Sequence, residues 1–449
     1  MQPKKIDMHA INLIASHLEF QFALFSGENM STLEHVIIKG FWGDHAVNID
    51  FREDFNFIVG VNGSGKSTFL NLIAGVLRAD IKLLSKYEFE YIRIELKDLK
   101  TKRKPCIELR RDFTLPFFEA QYKIWDSSSD KPFSYTLSEV DSFESRVSSG
   151  SLKIRMQLPG SKSAGRSLKE HLDELLNLTW LSVQRSEANT EKRFEPLDAK
   201  LEDLFNRLVR YLSSLSRQVN RLYEGFQEQI FLSLLSVDDV AGAKIPSKNK
   251  IEKEKLALIQ IFNQFQMGKS KHLEEIQNKF DKVEKVISRI QKTGVSDVDD
   301  SLQLFALQRI ERAVDSWEKV TKEKNEILAP RNVFLELINE LVQRKSLDFS
   351  ERNELEIITQ SGKQLTPYKL SSGEKQMLII LGEALLQENK SYIYMADEPE
   401  LSLHVEWQEK LAEYINLLNP SAQVIFATHS PDVISIFQEN VIQMEDCIS

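Results

Sequence analysis

The run Gly60-Val61-Asn62-Gly63-Ser64-Gly65-Lys66-Ser67-Thr68 constrains this chain more than any other segment. It fits the spacing G-x-x-x-x-G-K-[ST]. It stands between an apolar strand pattern, Phe55-Asn56-Phe57-Ile58-Val59, and a helical one, Phe69-Leu70-Asn71-Leu72-Ile73-Ala74. A strand, a glycine-rich turn and a helix in that order form a cradle for phosphate. The glycines let backbone N–H groups turn inward, the lysine reaches the terminal phosphates, and the Ser67 hydroxyl can bind Mg²⁺. The following helix adds its positive N-terminal end. Asn62, Gly63, Gly65, Lys66, Ser67 and Thr68 are the expected nucleotide-binding residues, with Ser67 also on the metal.

At 449 residues there is room for two to four domains, and 42% hydrophobic with 28% charged residues is ordinary for a protein with a packed core. The net charge of −9 excludes polyanion binding by bulk electrostatics, although a local basic face remains open. Two cysteines, Cys106 and Cys447, give no disulfide framework and no cysteine metal site. No apolar run approaches the ~20 residues of a membrane span. The N-terminal stretch is broken by His17, Glu19 and Gln21 and lacks a cleavage site, so no signal peptide is expected and the cytoplasm is the expected location.

Residues 1–30 read as an N-terminal arm with strand-like alternation at Leu18, Phe20, Phe22 and Leu24. Residues 31–195 form a first lobe with strand patterns at 36–38, 46–51, 55–59, 91–96, 106–109, 152–156 and 178–183. The period then changes. Leu201, Leu204, Leu208, Leu212, Leu215, Val219, Leu222 and Phe226 recur three or four apart. So do Ile276, Phe280, Val283, Ile287 and Ile290, and then Ala306, Ile310, Ala313, Trp317 and Val320. Such spacing predicts a helical, coiled-coil-like insert over 196–345, folded back into two arms of ~75 residues, ~110 Å at most. Alternating strands and helices return over 346–449 as a second α/β lobe.

Three further motifs carry chemistry. Leu370-Ser371-Ser372-Gly373-Glu374-Lys375-Gln376 opens an apolar helix. Small and hydroxyl residues there leave backbone N–H groups open to an anion, though the same residues also suit a simple cap at Ser372 with Glu374. Tyr392-Ile393-Tyr394-Met395-Ala396-Asp397-Glu398-Pro399 is a buried strand ending in paired carboxylates, expected to face opposite ways. Asp397 suits Mg²⁺ support, and Glu398 suits the base that activates an attacking water. Gln423-Val424-Ile425-Phe426-Ala427-Thr428-His429-Ser430 is another buried strand, ending in a histidine able to bond a terminal phosphate.

In this order the four motifs resemble an ABC-type ATPase: phosphate loop, helical insertion, LSSGEKQ signature, Asp-Glu strand and switch histidine. The insertion is similar to that of the SMC and OLD-like branch. Asp397-Glu398-Pro399-Glu400-Leu401-Ser402-Leu403-His404 and Ala427-Thr428-His429-Ser430 resemble the stand-alone ATPases of bacterial antiphage defence systems such as PARIS and Septu. The likeness covers about 31–195 and 330–449. It implies an α/β fold, a P-loop ABC-type ATPase head of two lobes with a helical coiled-coil insertion between them.

The resemblance also implies ATP and Mg²⁺ as cofactors, Glu398 as base and His429 as switch. Ser371 and Gly373 would touch the γ-phosphate of ATP held by a second subunit of a homo-oligomer. Gln184 is the candidate for a lobe-joining glutamine, with ordinary surface as the competing reading. No second catalytic cluster follows His429, so the expected output is control of a separately encoded effector, a nuclease or toxin, in response to a phage protein or a nucleic acid, with no membrane role. The alternative is an SMC-like DNA repair or chromosome-maintenance ATPase that binds DNA directly. The run Lys97, Lys100, Lys102, Arg103, Lys104, Arg110, Arg111 could contact phosphates or be a solvated hairpin face.

Overall fold

The computed structural model describes residues 31–139, 167–181, 196–235, 248–265, 270–293 and 298–449. The expected arm at 1–30, the strand at 152–156, Gln184 and the helix break at 241–246 lie outside them.

In chain order the elements are Ser31–Phe41 (β1), His45–Asp50 (β2), Phe55–Val59 (β3), Lys66–Leu77 (α1), Ile81–Leu84 (α2), Tyr91–Asp98 (β4), Cys106–Asp112 (β5), Glu119–Trp125 (β6) and Phe133–Ser138 (β7). Leu168–Leu175 (α3), Leu178–Leu181 (β8), Pro196–Leu235 (α4), Lys248–Gln264 (α5), Ser270–Thr293 (α6) and Val298–Leu341 (α7) follow. The last stretch holds Lys345–Phe349 (β9), Leu355–Thr359 (β10), Gln364–Leu365 (β11), Ser372–Leu385 (α8), Tyr392–Asp397 (β12), Val405–Leu418 (α9), Ala422–Ala427 (β13), Pro431–Ile434 (α10) and Val441–Gln443 (β14). The described residues of 31–210 together with 330–449 form one compact unit, and those of 211–329 form another.

The first unit contains three sheets. A five-stranded sheet runs β14-β3-β13-β12-β8, all parallel. Its central strands β3, β12 and β13 are buried almost residue for residue, as near-continuous apolar runs are when helices cover both faces. A six-stranded antiparallel sheet, β2-β1-β4-β5-β6-β7, instead alternates buried and open residues. In β6 the inward set is Ala120, Tyr122 and Ile124, each fully buried; the sequence reading left β6 and β7 unnamed. Three short strands, β11-β10-β9, make the third sheet.

Helix α1 is apolar nearly all round, and only burial on every side suits that pattern. Phe69, Leu72, Ile73 and Val76 share one core with Val36, Ile38, Ile94 and Ile107 of the antiparallel sheet and with Ile58, Met395 and Ile425 of the parallel one. The two sheets are also stitched by a polar side chain. Gln423 is fully buried; its Oε1 accepts the Leu33 N–H at 2.7 Å, and its Nε2 donates to the carbonyls of Leu33 at 2.8 Å and Arg52 at 2.6 Å. Leu33 needs this partner because the β1–β4 register shifts between Leu33 and His35.

The helical stripe of α4 is as spaced: Leu201, Leu204, Leu208, Leu212, Leu215, Val219 and Phe226 are all buried. The described part of the expected insert is helical. It holds helices of 40, 17, 24 and 44 residues. The missed member, α5, opens on lysines and glutamates around Ile251 and gathers its other apolar residues, Leu258, Ile259, Ile261 and Phe262 among them, in its second half, a stripe too short to register as a heptad run. Within the second unit, Phe226, Ile261, Val314, Trp317 and Val320 make one core, and Ile251, Ile276, Phe280, Val283, Ile287 and Leu307 another.

Gln423→Leu preserves volume but leaves two backbone carbonyls and one N–H unmet inside the first unit. It should lower the stability of that unit by about 2–4 kcal/mol, read as a shift of the urea midpoint at unchanged slope.

Candidate nucleotide site

The loop 60–65 leaves the end of β3, and α1 begins at Lys66. Two positive-φ glycines shape it by necessity. Gly60 has φ 156°, and a Cβ there would lie 2.6 Å from Glu445 Oε2 and from Ser64 Oγ. Gly65 caps α1 in the left-handed conformation at φ 97°, with Phe41 and Trp42 ring atoms 3.0 Å from where a Cβ would stand. Gly63 opens onto free space, and Asn62 is exposed beside it. Ser67 and Thr68, in the first turn of α1, are half-buried.

Lys66 is 4% exposed and folds back over the loop: its ammonium donates to the carbonyls of Gly60 at 2.9 Å and Val61 at 3.2 Å. Burial holds the ammonium below its usual lysine range, while the charges of Glu445, Glu398, Asp397 and Glu400 pull the other way. A buried ammonium held by two carbonyls and, at 3.5 Å, the Ser64 hydroxyl, with no carboxylate in bonding reach, is a ready receiver for phosphate oxygens.

The Ser67 hydroxyl donates to Asp397 Oδ1 at 2.9 Å. Asp397, the last residue of β12, is 5% exposed, and burial pushes its carboxyl up to about 6. The Ser67 bond and Lys66 oppose that rise, and the charges of Glu398 and Glu400 add to it. Glu398 does not continue the strand as expected. Its φ is +48°, so a left-handed turn, not strand alternation, separates the two carboxylates. The turn is pinned by the Glu398 N–H donating to the Ala427 carbonyl at 2.8 Å. His429 follows β13, with Nε2 3.9 Å from Glu398 Oε1 and both side chains about one-third exposed, at 34%. Lys66, Ser67, Asp397, Glu398 and His429 thus meet at one edge of the parallel sheet.

Ser371 and Gly373 lie elsewhere. Ser371 is the N-cap of α8, one residue earlier than the cap read from sequence. Its Oγ accepts the Glu374 N–H and donates to Glu374 Oε2 at 2.9 Å, and Lys345 holds the same carboxylate at 2.7 Å. Gly373 is required by close approach, since a Cβ would sit 2.5 Å from the Ser402 carbonyl oxygen. Among the described residues neither shares a hydrogen bond or ion pair with the loop 60–68. Helix α8 is tied to the start of α4: Lys375 donates to Asp198 at 2.6 Å, and Arg207 pairs with Glu383.

Two acidic residues of the site were not singled out from sequence. Glu445 Oε1 accepts the Val61 N–H at 2.7 Å, and that bond holds its carboxyl below the usual range. Glu400 is 8% exposed; its Oε1 accepts the Thr428 hydroxyl at 2.6 Å and the His429 N–H at 3.0 Å. Its place two residues after the Asp-Glu pair was the available signal. In the basic run, Lys97 pairs with Glu53, Lys104 with Glu34, and Arg111 donates to the Tyr87 carbonyl while lying over Phe89, Phe113 and Phe118. These three side chains serve the hairpin.

The residues fit a nucleotide with its magnesium ion. The glycine cradle is open at Gly63, the lysine lacks a carboxylate partner within bonding distance, and a hydroxyl and a carboxylate stand 2.9 Å apart as hard oxygen donors. Among the described residues no group of three His, Cys, Asp or Glu could hold a metal by itself, so phosphate and water oxygens would complete the shell. No described helix is long and apolar enough to cross a membrane.

The chain is similar to several known proteins. A "Retron Vc95 probable ATPase" from Vibrio cholerae serotype O1 biovar El Tor is 21% identical over 417 residues, 88% of this chain and 69% of that protein. An Smc head domain with an extended coiled coil, bound to the C-terminal domain of ScpA and derived from Pyrococcus furiosus, aligns over 93% of this chain and 94% of its own at 16% identity and TM-score 0.43. An Smc head domain with a coiled coil and joint from Pyrococcus yayanosii covers 92% and 95% at 16% identity and TM-score 0.42. The family model described as AAA ATPase domain matches residues 32–434, from β1 to the end of α10. With the phosphate loop, the Asp-Glu strand end and the histidine inside that match, the chain belongs to the AAA ATPase domain family.

Proposed function

We propose that this protein binds Mg·ATP between two copies of itself, hydrolyses it, and uses the cycle to control a separately encoded effector in a bacterial antiphage defence system. The observation that carries the reading is the division of the motifs. Lys66, Ser67, Asp397, Glu398 and His429 share one sheet edge, while Ser371 and Gly373, at the start of α8, have no hydrogen bond or ion pair to the phosphate loop among the described residues. A second copy supplies the missing half, with Ser371 and the α8 N-terminus facing the γ-phosphate in trans. The similarity to a retron ATPase supports the defence setting. The tie between α8 and the start of α4 supports a conformational output, since whatever moves the signature helix pulls on α4.

In this reading Lys66 leaves the Gly60 and Val61 carbonyls for the β- and γ-phosphate oxygens. Ser67 and Asp397 would hold Mg²⁺, which would neutralise phosphate charge. Glu398 takes a proton from the water that attacks the γ-phosphorus. The bond from that phosphorus to the β-bridging oxygen breaks, and ADP keeps the electron pair. His429 hydrogen-bonds the γ-phosphate and orients Glu398 across their 3.9 Å separation.

Glu398→Gln keeps the geometry and removes the base. It should bind ATP normally, lose about 10²–10⁴ in kcat, and hold the ATP-bound assembly long enough to co-purify with the product of an adjacent gene. Parental turnover would assign the base elsewhere, and no ATP-dependent companion in pull-downs would sink the effector reading. In a second test, inactive Lys66→Ala and inactive Ser371→Arg subunits are mixed. Recovery of part of the ATPase activity is expected, because one of the two mixed interfaces is intact; none, in subunits shown by mass measurement to exchange, rules out sharing of the site.

The carboxyl of Asp397 gives a pH signature. Its pKa is about 6 in the fold against 3.8 for the free group, so the native chain holds this proton more tightly than the unfolded one. Ionisation therefore weakens the fold, not at all below about pH 4 and fully above pH 6. Asp397→Asn should raise the stability of the nucleotide-free protein by about 2–3 kcal/mol at pH 7.5, with the gain gone at pH 4 in urea titrations, while Mg²⁺-dependent hydrolysis is lost.

A further inference from the structure

We propose that Glu400 is a positioning residue for hydrolysis, a buried strut that fixes the 428–430 turn so that His429 faces Glu398. The proposal rests on the hydrolytic reading above. Glu400 is buried, at 8% exposure, and one of its oxygens organises three consecutive residues. Oε1 accepts the Thr428 hydroxyl at 2.6 Å and the His429 N–H at 3.0 Å. The Thr428 oxygen in turn accepts the Ser430 N–H at 3.0 Å, and the Ser430 hydroxyl donates to Gln408 at 2.6 Å. Thr428 is itself fully buried, so its hydroxyl has no solvent to turn to.

A carboxylate is an expensive group to bury for structure alone. Here no cation lies within bonding distance of it among the described residues, and Oε2 is buried without any hydrogen-bond partner. What the group provides is geometry at the residue next to the chemistry. His429 hangs from a backbone held by Glu400, and its ring meets Glu398 at 3.9 Å. Glu398 is one-third exposed and able to meet water, whereas Glu400 is enclosed, which separates the roles of the two glutamates. Nucleotide affinity is assigned chiefly to Lys66 and Ser67; Glu400 acts on the Lys66 ammonium through its charge, without a bond to it.

A glutamine keeps the accepting oxygen and replaces only the unmet one, whereas alanine removes both. The test measures kcat, KM for ATP and the Kd of a fluorescent ATP analogue for the full chain. Glu400→Ala should lose about 30–100-fold in kcat, the scale of an ångström of misplacement, with KM and Kd within about threefold. Glu400→Gln should recover to within about fivefold of the parent. Thr428→Val, which removes one donor to the strut, should lose about tenfold and Thr428→Ser should restore it. If Glu400→Ala misfolds by circular dichroism, the Gln and Val variants decide. Glu400→Gln as slow as Glu398→Gln overturns the strut in favour of a direct role for the charge. Parental turnover in Glu400→Ala or in Thr428→Val overturns the proposal alone. A parental chain with no Lys66-dependent hydrolysis overturns the hydrolytic reading, and this proposal with it.

Discussion

The register of three parallel strands is the constraint on which the site depends. Ile58 of β3 pairs with Ala427 of β13, and Ala427 with Asp397 of β12. The phosphate loop, the Asp397-Glu398 turn and the Thr428-His429 turn therefore leave the sheet at one level. Each residue advances a strand by about 3.3 Å. A slip of one position would part Ser67 from Asp397, now 2.9 Å apart, and turn the strand's side chains to the other face. The polar stitch at Gln423 holds the antiparallel sheet to the same frame.

Electrostatics at this edge explain why a metal-bound nucleotide suits it better than a free one. Four carboxylates, Glu445, Glu398, Asp397 and Glu400, act on the single buried ammonium of Lys66. A bare triphosphate would meet net repulsion there. A triphosphate carrying Mg²⁺ would meet a carboxylate and a hydroxyl already adjacent, and a bound cation would draw the raised carboxyl of Asp397 back toward its ordinary range.

Much of this was legible in the sequence, because cradling phosphate leaves few chemical choices. The glycines, Lys66 and Ser67 could be placed from spacing alone, and the apolar runs before Asp397 and Thr428 announced strands whose ends matter. Other features depend on neighbours far along the chain. Glu445 bonds Val61 across 384 positions, and Gln423 bonds Leu33 across 390. Glu398 read as a strand residue because a left-handed turn before Pro399 has no local mark. The LSSGEKQ residues were seen both as a helix cap and as an anion site. The structure displays the cap, with Ser371 and Glu374 bonded reciprocally, and a packing reason for Gly373 that spacing could not give. Helix α5 escaped because its apolar stripe is short and its composition charged.

Strand β3 lies between β13 and β14, at 422–427 and 441–443. On the ribosome its hydrogen-bonding partners appear about 365–385 residues after it, roughly 20–75 s later at about 5–20 residues per second. Through that interval Phe55, Phe57 and Ile58 have neither flank covered, although the glycine loop beside them has already been made. The nucleotide cradle is thus translated long before its strand is paired. A nascent chain must keep one of its most apolar strands unpaired until nearly all of these residues have emerged.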